Sequence, residues 1–414
     1  MLRPELFKDK KQRGRKKKEF WILILCGSFI LSTIFYFSYI YASPIITSKL
    51  PSINIICNEE INGDDYVECI FELENNEPVK AKIKLRGTTV TKYPKKGYRI
   101  ALSNQKSMLG MRKDDDWLLF ALYRDHRRMK VKFSMDLWGT LDDTNPTCIL
   151  PESRYVKLFL NSEFQGLYLL SEKIDRKLFG LDDAQNNIDS SLIFQVKYWT
   201  TLNEYEEIAW EQDWPNEDNG IFIMDEILTE LIVFINNTSD EVFFDPSNGI
   251  YTIFDKLNLI DFYIYNFFLI HKDFWSKNYY LVRNTNPSKF FLIPWDFDNI
   301  IEGRWSLHGV NDNHESKIRD LNELYNRLIG NEEFMRDCKE RWLYLRNELW
   351  TDDFILDLLY DLYEEIEDIL GIELEMWTPP VLEREPYNLD AHVNELFQWF
   401  PERLAFCDSY FDQY

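Results

Sequence analysis

The chain has 414 residues, a formal charge of −23, 45% hydrophobic residues and 16% aromatic residues. This supports a large buried core and excludes wholesale disorder, while 15 Gly and 15 Pro exclude collagen-like and low-complexity classes. The acidic balance argues against a nucleic-acid partner and requires any bound triphosphate to be held by a metal ion or a local basic patch.

Residues 1–19 carry nine Lys and Arg against Glu5, Asp9 and Glu19, and read as a basic cytoplasmic tail. Residues 20–42, FWILILCGSFILSTIFYFSYIYA, contain no charge. At about 1.5 Å per residue, a helix of that length crosses a hydrocarbon core of about 30 Å. A single-pass transmembrane helix is expected there. Trp21, Tyr36, Tyr39 and Tyr41 suit the interfaces, and the basic tail inside places residues 43–414 outside the cytoplasm. Beyond that span remain Cys57, Cys69, Cys148, Cys338 and Cys407, an odd number without a CxxC pair and hence without a zinc signal. Cys57 and Cys69 are spaced to bridge a short hairpin, but no sequence signal establishes a bond.

From 53 to about 110 the runs INIIC, YVECIFEL, VKAKIKLRG and YRIAL read as short strands between polar turns. Residues 117–141 begin as a strand and turn helical, with Met129, Phe133, Leu137 and Leu141 on one face. Strand 154–160, a turn at Asn161–Gly166 and strand 167–172 follow. A small, mostly antiparallel sheet with one packed helix is expected over 53–172. The polar stretch 181–220 reads as an insertion. From about 255 the pattern is helical, with KLNLIDFYIYNFFLIHKD apolar nearly all round and breaks near Gly330, Gly371 and Pro379-Pro380. The plan is α+β: a membrane anchor, a β-rich lobe over 43–175 and a mainly helical lobe over 176–414.

The strongest chemical signal is HKDFWSKNYYLVRNTNPSKFFLIPWDFD at 271–298. A buried helix ends at His271, and a loop carries Asp273 and Asn278. A hairpin follows, ending in Asp296-Phe297-Asp298. Its closure brings Asp273, Asn278 and Asp296 to one rim. Two acids and an amide oxygen suit a hard Mg²⁺ bridging phosphates, and a further carboxylate can orient or deprotonate a hydroxyl. The order H-x-D, four residues, N, hairpin, D-F-x repeats the phosphotransfer layout of protein kinases. His271 is expected to brace this loop rather than act as a base.

Further blocks support a family resemblance: LRGTT at 85–89, Lys95-Lys96 before YRIAL, DWLLFALYRDHRRMK at 116–130, VKLFLNSEFQGLYLLSEKID at 156–175, HKDFWSKNYY and PWDFD. Taken in order, they resemble the CotH family of spore-coat kinases. The resemblance implies an atypical protein-kinase fold of two lobes and transfer of the ATP γ-phosphoryl group to protein Ser or Thr hydroxyls with Mg²⁺ (or Mn²⁺). It makes Asp273 the catalytic aspartate, Asn278, Asp296 and Asp298 the metal-site residues, and Gly303 the small residue that follows.

In the β-lobe, Arg86 and Gly87 open the loop TTVTKYPKK, which can cover phosphates with backbone N–H groups and Lys charge. Lys96 and Arg99 compete as the phosphate-pairing strand cation, and Glu172 sits where a kinase hinge would meet adenine. Asp125 and Arg128 either face the phosphate cleft or form surface ion pairs. Two other readings remain: an inactive pseudokinase or structural coat scaffold, and a metal-dependent hydrolase using the DxD carboxylates.

Overall fold

The computed structural model describes residues 48–414 except 64, 75, 88–91, 185–187, 217–220, 286–288, 302–306 and 379–388. The chain divides into two units, Met1–Ser48 and Lys49–Tyr414. The expected tail (1–19) and transmembrane helix (20–42) lie outside the described residues. Among those described, no helix is long and apolar enough to cross a membrane.

Strands β1 (Ser52–Cys57), β2 (Val67–Leu73), β3 (Val79–Arg86), β4 (Gly97–Ser107), β5 (Lys113–Phe120), β6 (Ser153–Leu160) and β7 (Glu163–Glu172) close into a barrel, in the order β1-β2-β3-β4-β5-β7-β6. Alternation drives it: along VECIFEL, Val67, Cys69, Phe71 and Leu73 are buried while Glu68 and Ile70 face out. The inward set from each strand fills the barrel, with Ile53, Ile83, Ile100, Trp117, Val156 and Tyr168 at its centre. The expected sheet is therefore closed. The closure is a parallel pairing of β1 with β6, from Ser52↔Lys157 to Ile55↔Leu160. The β6–β7 turn is tighter than expected. It is the pair Asn161-Ser162, with φ of 50° and 67°. Asn tolerates this left-handed region that two-residue hairpins require.

Helix α1 (Lys130–Gly139) lies between β5 and β6 in sequence. The stretch 181–220, expected as an insertion, contributes β8 (Leu192–Val196) and β9 (Trp210–Trp214). With β10 (Tyr279–Arg283) and β11 (Phe291–Pro294) they form an antiparallel sheet of order β11-β10-β8-β9. This sheet packs on the outside of the barrel: Leu118 and Phe120 of β5 meet Tyr280, Val282, Ile293 and Trp295. β5 is thus buried on both faces.

The helical part comprises α2 (Met224–Asn237), α3 (Lys256–Phe268), α4 (Glu315–Leu321), α5 (Glu323–Ile329), α6 (Glu332–Glu348), α7 (Asp352–Met376) and α8 (Leu389–Phe411). α3 is central. Asp255 caps it by accepting from Asn258 N–H at 2.8 Å, and Phe262, Tyr263, Phe267 and Phe268 are fully buried among rings of neighbouring elements. The break expected at Gly371 does not occur, because α7 continues to Met376 under packing against β7 and α1.

One buried carboxylate joins α7 to the barrel. Glu373 has no solvent exposure, and its Oε1 lies 2.6 Å from Lys95 Nζ and 2.8 Å from Arg128 Nε. Its Oε2 accepts Leu167 N–H at 2.8 Å. Lys95 also donates to Leu167 C=O at 2.5 Å and sits over the Tyr168 ring at 4.5 Å. Burial pulls the Lys95 ammonium down to about 7 against the attraction of Glu373. Gly166, with φ of +103°, leaves the space: a Cβ there would collide with Glu373 Oε2 and stand 3.0 Å from Trp377 Nε1.

Glu373→Ala strands two buried cations and is expected to cost about 3–5 kcal/mol in urea unfolding. Gly166→Ala should also destabilise strongly. In the Glu373→Ala background its cost should fall, leaving a backbone share of about 1–3 kcal/mol and the close approach to Trp377. Additive costs in that double-mutant cycle would show that the glycine and the carboxylate act separately.

Candidate active site

α3 ends at Phe268, and the chain turns through His271 to Asn278 before entering β10. Three hydrogen bonds knit this loop to the exit of β11. Trp295 N–H donates to Asn278 C=O at 2.9 Å. His271 Nε2 lies 2.9 Å from Asp296 C=O. Asn299 Nδ2 donates to Asp273 Oδ2 at 2.7 Å. Pairing of Tyr279 with Pro294 sets the first contact, so the hairpin brings Asn278 and Asp296 side by side.

Phe274 N–H donates to His271 Nδ1 at 3.2 Å, so the ring proton sits on Nε2 and is donated to Asp296 C=O. Burial drives the His271 pKa down to about 4. The neutral ring, stacked on Phe274 at 3.4 Å, is a brace between the two segments.

Asp273 and Asp296 differ in their surroundings. Burial favours the neutral form of Asp273, but the Asn299 hydrogen bond and the charge of Lys277 outweigh it and hold the carboxyl below its ordinary range. Lys277 Nζ is 3.4 Å from Asp273 Oδ2. Asp296 has no hydrogen-bond or ion-pair partner for its carboxylate among the described residues. The residue is solvent-exposed by area, while the protein packed around its carboxylate limits hydration. That desolvation and repulsion from Asp298 push its pKa up to about 6, against the opposing pull of Arg86, Lys277 and Arg124. Asn278 likewise has no partner for its side-chain amide among the described residues. Both occupy left-handed backbone, with φ of 65° for Asn278 and 60° for Asp296, as do the flanking Ile270 and Ile301. Each such residue costs about 1–3 kcal/mol and persists only where the surroundings impose it.

Among the described residues, no group of three or more His, Cys, Asp and Glu could hold a metal ion. The oxygens on offer are those of Asp296, Asp298 and the Asn278 amide. An underneutralised acidic pair beside a free amide fits a hard cation that keeps several waters. Asp298 is shared with the barrel side: Arg124 Nη1 lies 3.9 Å from its Oδ2, and Lys130 Nζ donates to its C=O at 3.2 Å.

Arg86 ends β3 with its guanidinium 4.1 Å above the Phe120 ring, within the field of Asp296, Asp298 and Tyr280. Gly87 follows with φ of +86° and leads into 88–91, which lie outside the described residues, as does Gly303. Lys96 folds its ammonium back onto Tyr93 C=O at 2.5 Å, and its neighbour Lys95, expected in the phosphate-covering loop, is buried on Glu373. Arg99 forms a bidentate pair with Asp116.

Glu172 is buried, and its side chain is committed within the fold. Its carboxylate accepts Arg112 N–H at 2.7 Å and Glu152 N–H at 3.2 Å, and its own N–H donates to Glu152 C=O. Asp125 and Arg128 are buried rather than surface ion-pair partners. Asp125 accepts Lys130 N–H at 2.7 Å, and Arg128 pairs with Glu373.

Sequence reasoning passed over Lys277, Asn299, Arg124 and Lys130. Lys277 lies inside the loop motif and Asn299 directly follows Asp298, so both had a local signal. Arg124 had none, since its bond to Asn299 Oδ1 at 2.9 Å joins residues 175 apart in the chain.

Asp296→Gly and Asp296→Ala both delete the carboxylate, but only glycine relieves the positive φ. Without added metal, the Gly variant is expected to be more stable than the Ala variant by about 1 kcal/mol in urea unfolding. Equal stabilities would show that the backbone there carries no strain.

A model of the CotH kinase protein family matches residues 83–407. The inner spore coat protein H of Bacillus subtilis (strain 168) is 25% identical over 364 residues, covering 84% of this chain and 93% of that protein. Among solved structures, the Helicobacter pylori proinflammatory kinase CtkA aligns over 76% of this chain and 94% of its own, at 10% identity and a TM-score of 0.29, too loose to equate the two folds. The family match runs from the end of β3 into α8 and takes in Asp273, Asn278, Asp296 and Asp298. The chain belongs to the CotH kinase protein family.

Proposed function

We propose that this chain is a protein kinase of the CotH type that transfers the γ-phosphoryl group of ATP to Ser or Thr hydroxyls of a protein, with Mg²⁺ or Mn²⁺. In this reading the barrel serves as the N-lobe, and the second sheet with the helices serves as the C-lobe. The observation that carries it is the contrast at the loop–hairpin junction. Asp296 and Asn278 present unpartnered oxygens on strained backbone, while Asp273 beside them is held ionised by Asn299 and Lys277.

Asp296, Asp298 and Asn278 would hold the metal, which would supply positive charge against the phosphates. Arg86 would meet the phosphates from the barrel side. Asp273 would accept a hydrogen bond from the acceptor hydroxyl and take its proton as the oxygen bonds to the γ-phosphorus and the bond to ADP breaks. His271 keeps the two segments in register. The adenine position is not served by the Glu172 side chain, which is committed to Arg112 and Glu152.

The proposal includes anchoring through residues 20–42, with the catalytic part outside the cytoplasm. The Bacillus subtilis relative is named for the inner spore coat, which extends the reading to a coat or envelope acceptor protein. The scaffold reading is disfavoured, because a scaffold gains nothing from an unneutralised Asp296 in costly backbone.

Two variants separate the roles. Asp296→Ala is expected to abolish metal-dependent binding of a non-hydrolysable ATP analogue in isothermal titration; unchanged affinity removes Asp296 from the site. Asp273→Asn should bind the analogue nearly as the parent does, yet lose about 10²–10⁴-fold in phosphoryl transfer from labelled ATP. Full transfer by that variant would sink the catalytic assignment.

A further inference from the structure

Strands β1 and β2 hold two cysteines that phosphoryl transfer does not use. Cys57 and Cys69 are Cα partners, directly opposite in the antiparallel ladder. The kind of pair follows from the hydrogen bonds. Glu74 N–H donates to Ser52 C=O at 2.6 Å, so these two form a hydrogen-bonded pair, and pair types alternate from there. Stepping through Ile53↔Leu73, Asn54↔Glu72, Ile55↔Phe71 and Ile56↔Ile70 places Cys57↔Cys69 at a non-hydrogen-bonded position. The other edge of β1 agrees. Cys57 N–H donates to Asn161 Oδ1 at 2.9 Å, and Ile55 C=O accepts Asn161 N–H at 2.8 Å, so both groups point away from β2.

At such a position the Cα atoms stand about 4.5 Å apart, inside the window of about 4.4–6.8 Å that a disulfide spans. Both side chains enter the barrel interior, close enough for each thiol to shift the other's pKa. Both are free thiols in this structure. Cys148 lies elsewhere, against Asp261.

We propose that Cys57 and Cys69 form a redox site that closes to a cross-strand disulfide when the chain folds in an oxidising compartment. The oxidant is a small-molecule disulfide, such as glutathione disulfide, or the disulfide of an oxidoreductase. One thiolate attacks it to give a mixed disulfide, and the second thiol displaces the remaining half. The chain loses two protons and two electrons, and the oxidant leaves as two thiols.

Burial sets the timing. Each cysteine is only 7% exposed, and burial holds both thiols up, Cys69 to about 12, so the folded barrel contains little thiolate. Oxidation belongs to the stage when the β1–β2 hairpin exists and the barrel is still open. Once closed, the bond is shielded from reductants. It pins β1, whose pairing with β6 seals the barrel. The redox state therefore records the compartment in which the barrel folded, whatever reaction the protein performs.

The test uses the full-length chain, unfolded in urea and refolded either with reductant or with a glutathione–glutathione disulfide mixture. Cleavage after Glu59 and Glu60 separates the two cysteines, which share one tryptic peptide. The oxidised product is expected to be about 2 Da lighter, with a Cys57–Cys69 linked peptide. It should melt about 5 °C above the reduced form. Glutathione disulfide should oxidise the folded reduced protein at least about tenfold more slowly than the refolding chain. The Cys57→Ser/Cys69→Ser variant should lose the redox dependence of melting. The proposal falls if both cysteines remain open to alkylation after oxidative refolding, or if Cys57 links to another cysteine. It also falls if the confirmed disulfide form melts with the reduced one. The peptide map of the parent chain needs no variant to fold.

Discussion

Glu373 is the point on which the barrel, the loop after β5 and the long helix α7 converge. A buried carboxylate between Lys95 and Arg128 is costly to desolvate, and such a cluster adds little net stability over an apolar one. Its effect is positional. Arg128, held by Glu373, spends its Nη1 on the carbonyls of Leu122, Tyr123 and Asp125 and its Nη2 on that of Trp377, and so ties the loop from 122 to 128 to the end of α7. That loop delivers Arg124 to Asn299 and Asp298, and starts α1 with Lys130 aimed at Asp298 C=O. Asn299 in turn holds Asp273. A chain of polar contacts thus runs from α7 through the barrel rim to the proposed catalytic carboxylate. An apolar replacement of Glu373 would fill the space without specifying the direction of Arg128.

The site is the converse of this clamp. At Glu373, two cations and a backbone N–H saturate one carboxylate. At Asp296 and Asp298, Arg86, Lys277 and Arg124 oppose the acids without restoring Asp296 to an ordinary pKa. The same loop keeps Asp273 ionised through one hydrogen bond and one close lysine. Two carboxylates tied to the same loop–hairpin junction are therefore pushed in opposite directions, a contrast typical of functional sites.

The strands from 53 to 110 were legible because one face is core and the other solvent, so alternation survives in the residues. Barrel closure was not, because it depends on β1 meeting β6 across about a hundred residues, and parallel pairing leaves no local turn signal. β8 was hidden by its five-residue length within an acidic stretch, and Gly371 misled because packing of α7 overrides the local preference for a break. In the site, Asp273, Asn278 and Asp296 were legible from spacing and the hairpin between them. The lysine pair shows the limit. Lys95 and Lys96 are adjacent and chemically identical, and only the position of Glu373, far along the chain, decides that Lys95 is buried.

Most of the cations near the candidate site are already engaged. Lys96 is turned onto Tyr93 C=O, Arg99 is paired with Asp116, Arg124 is shared between Asn299 and Asp298, and Lys277 lies against Asp273. Arg86 differs. Among the described residues its guanidinium has no hydrogen-bond acceptor, only the face of Phe120 and the field of the two acids. A ring contact holds a guanidinium in place while leaving its in-plane N–H groups unspent, and that planar fork matches phosphate oxygens. In a chain of net charge −23, a cation fixed by an aromatic ring rather than neutralised by a carboxylate would be the group best placed to receive a phosphate in the proposed reaction.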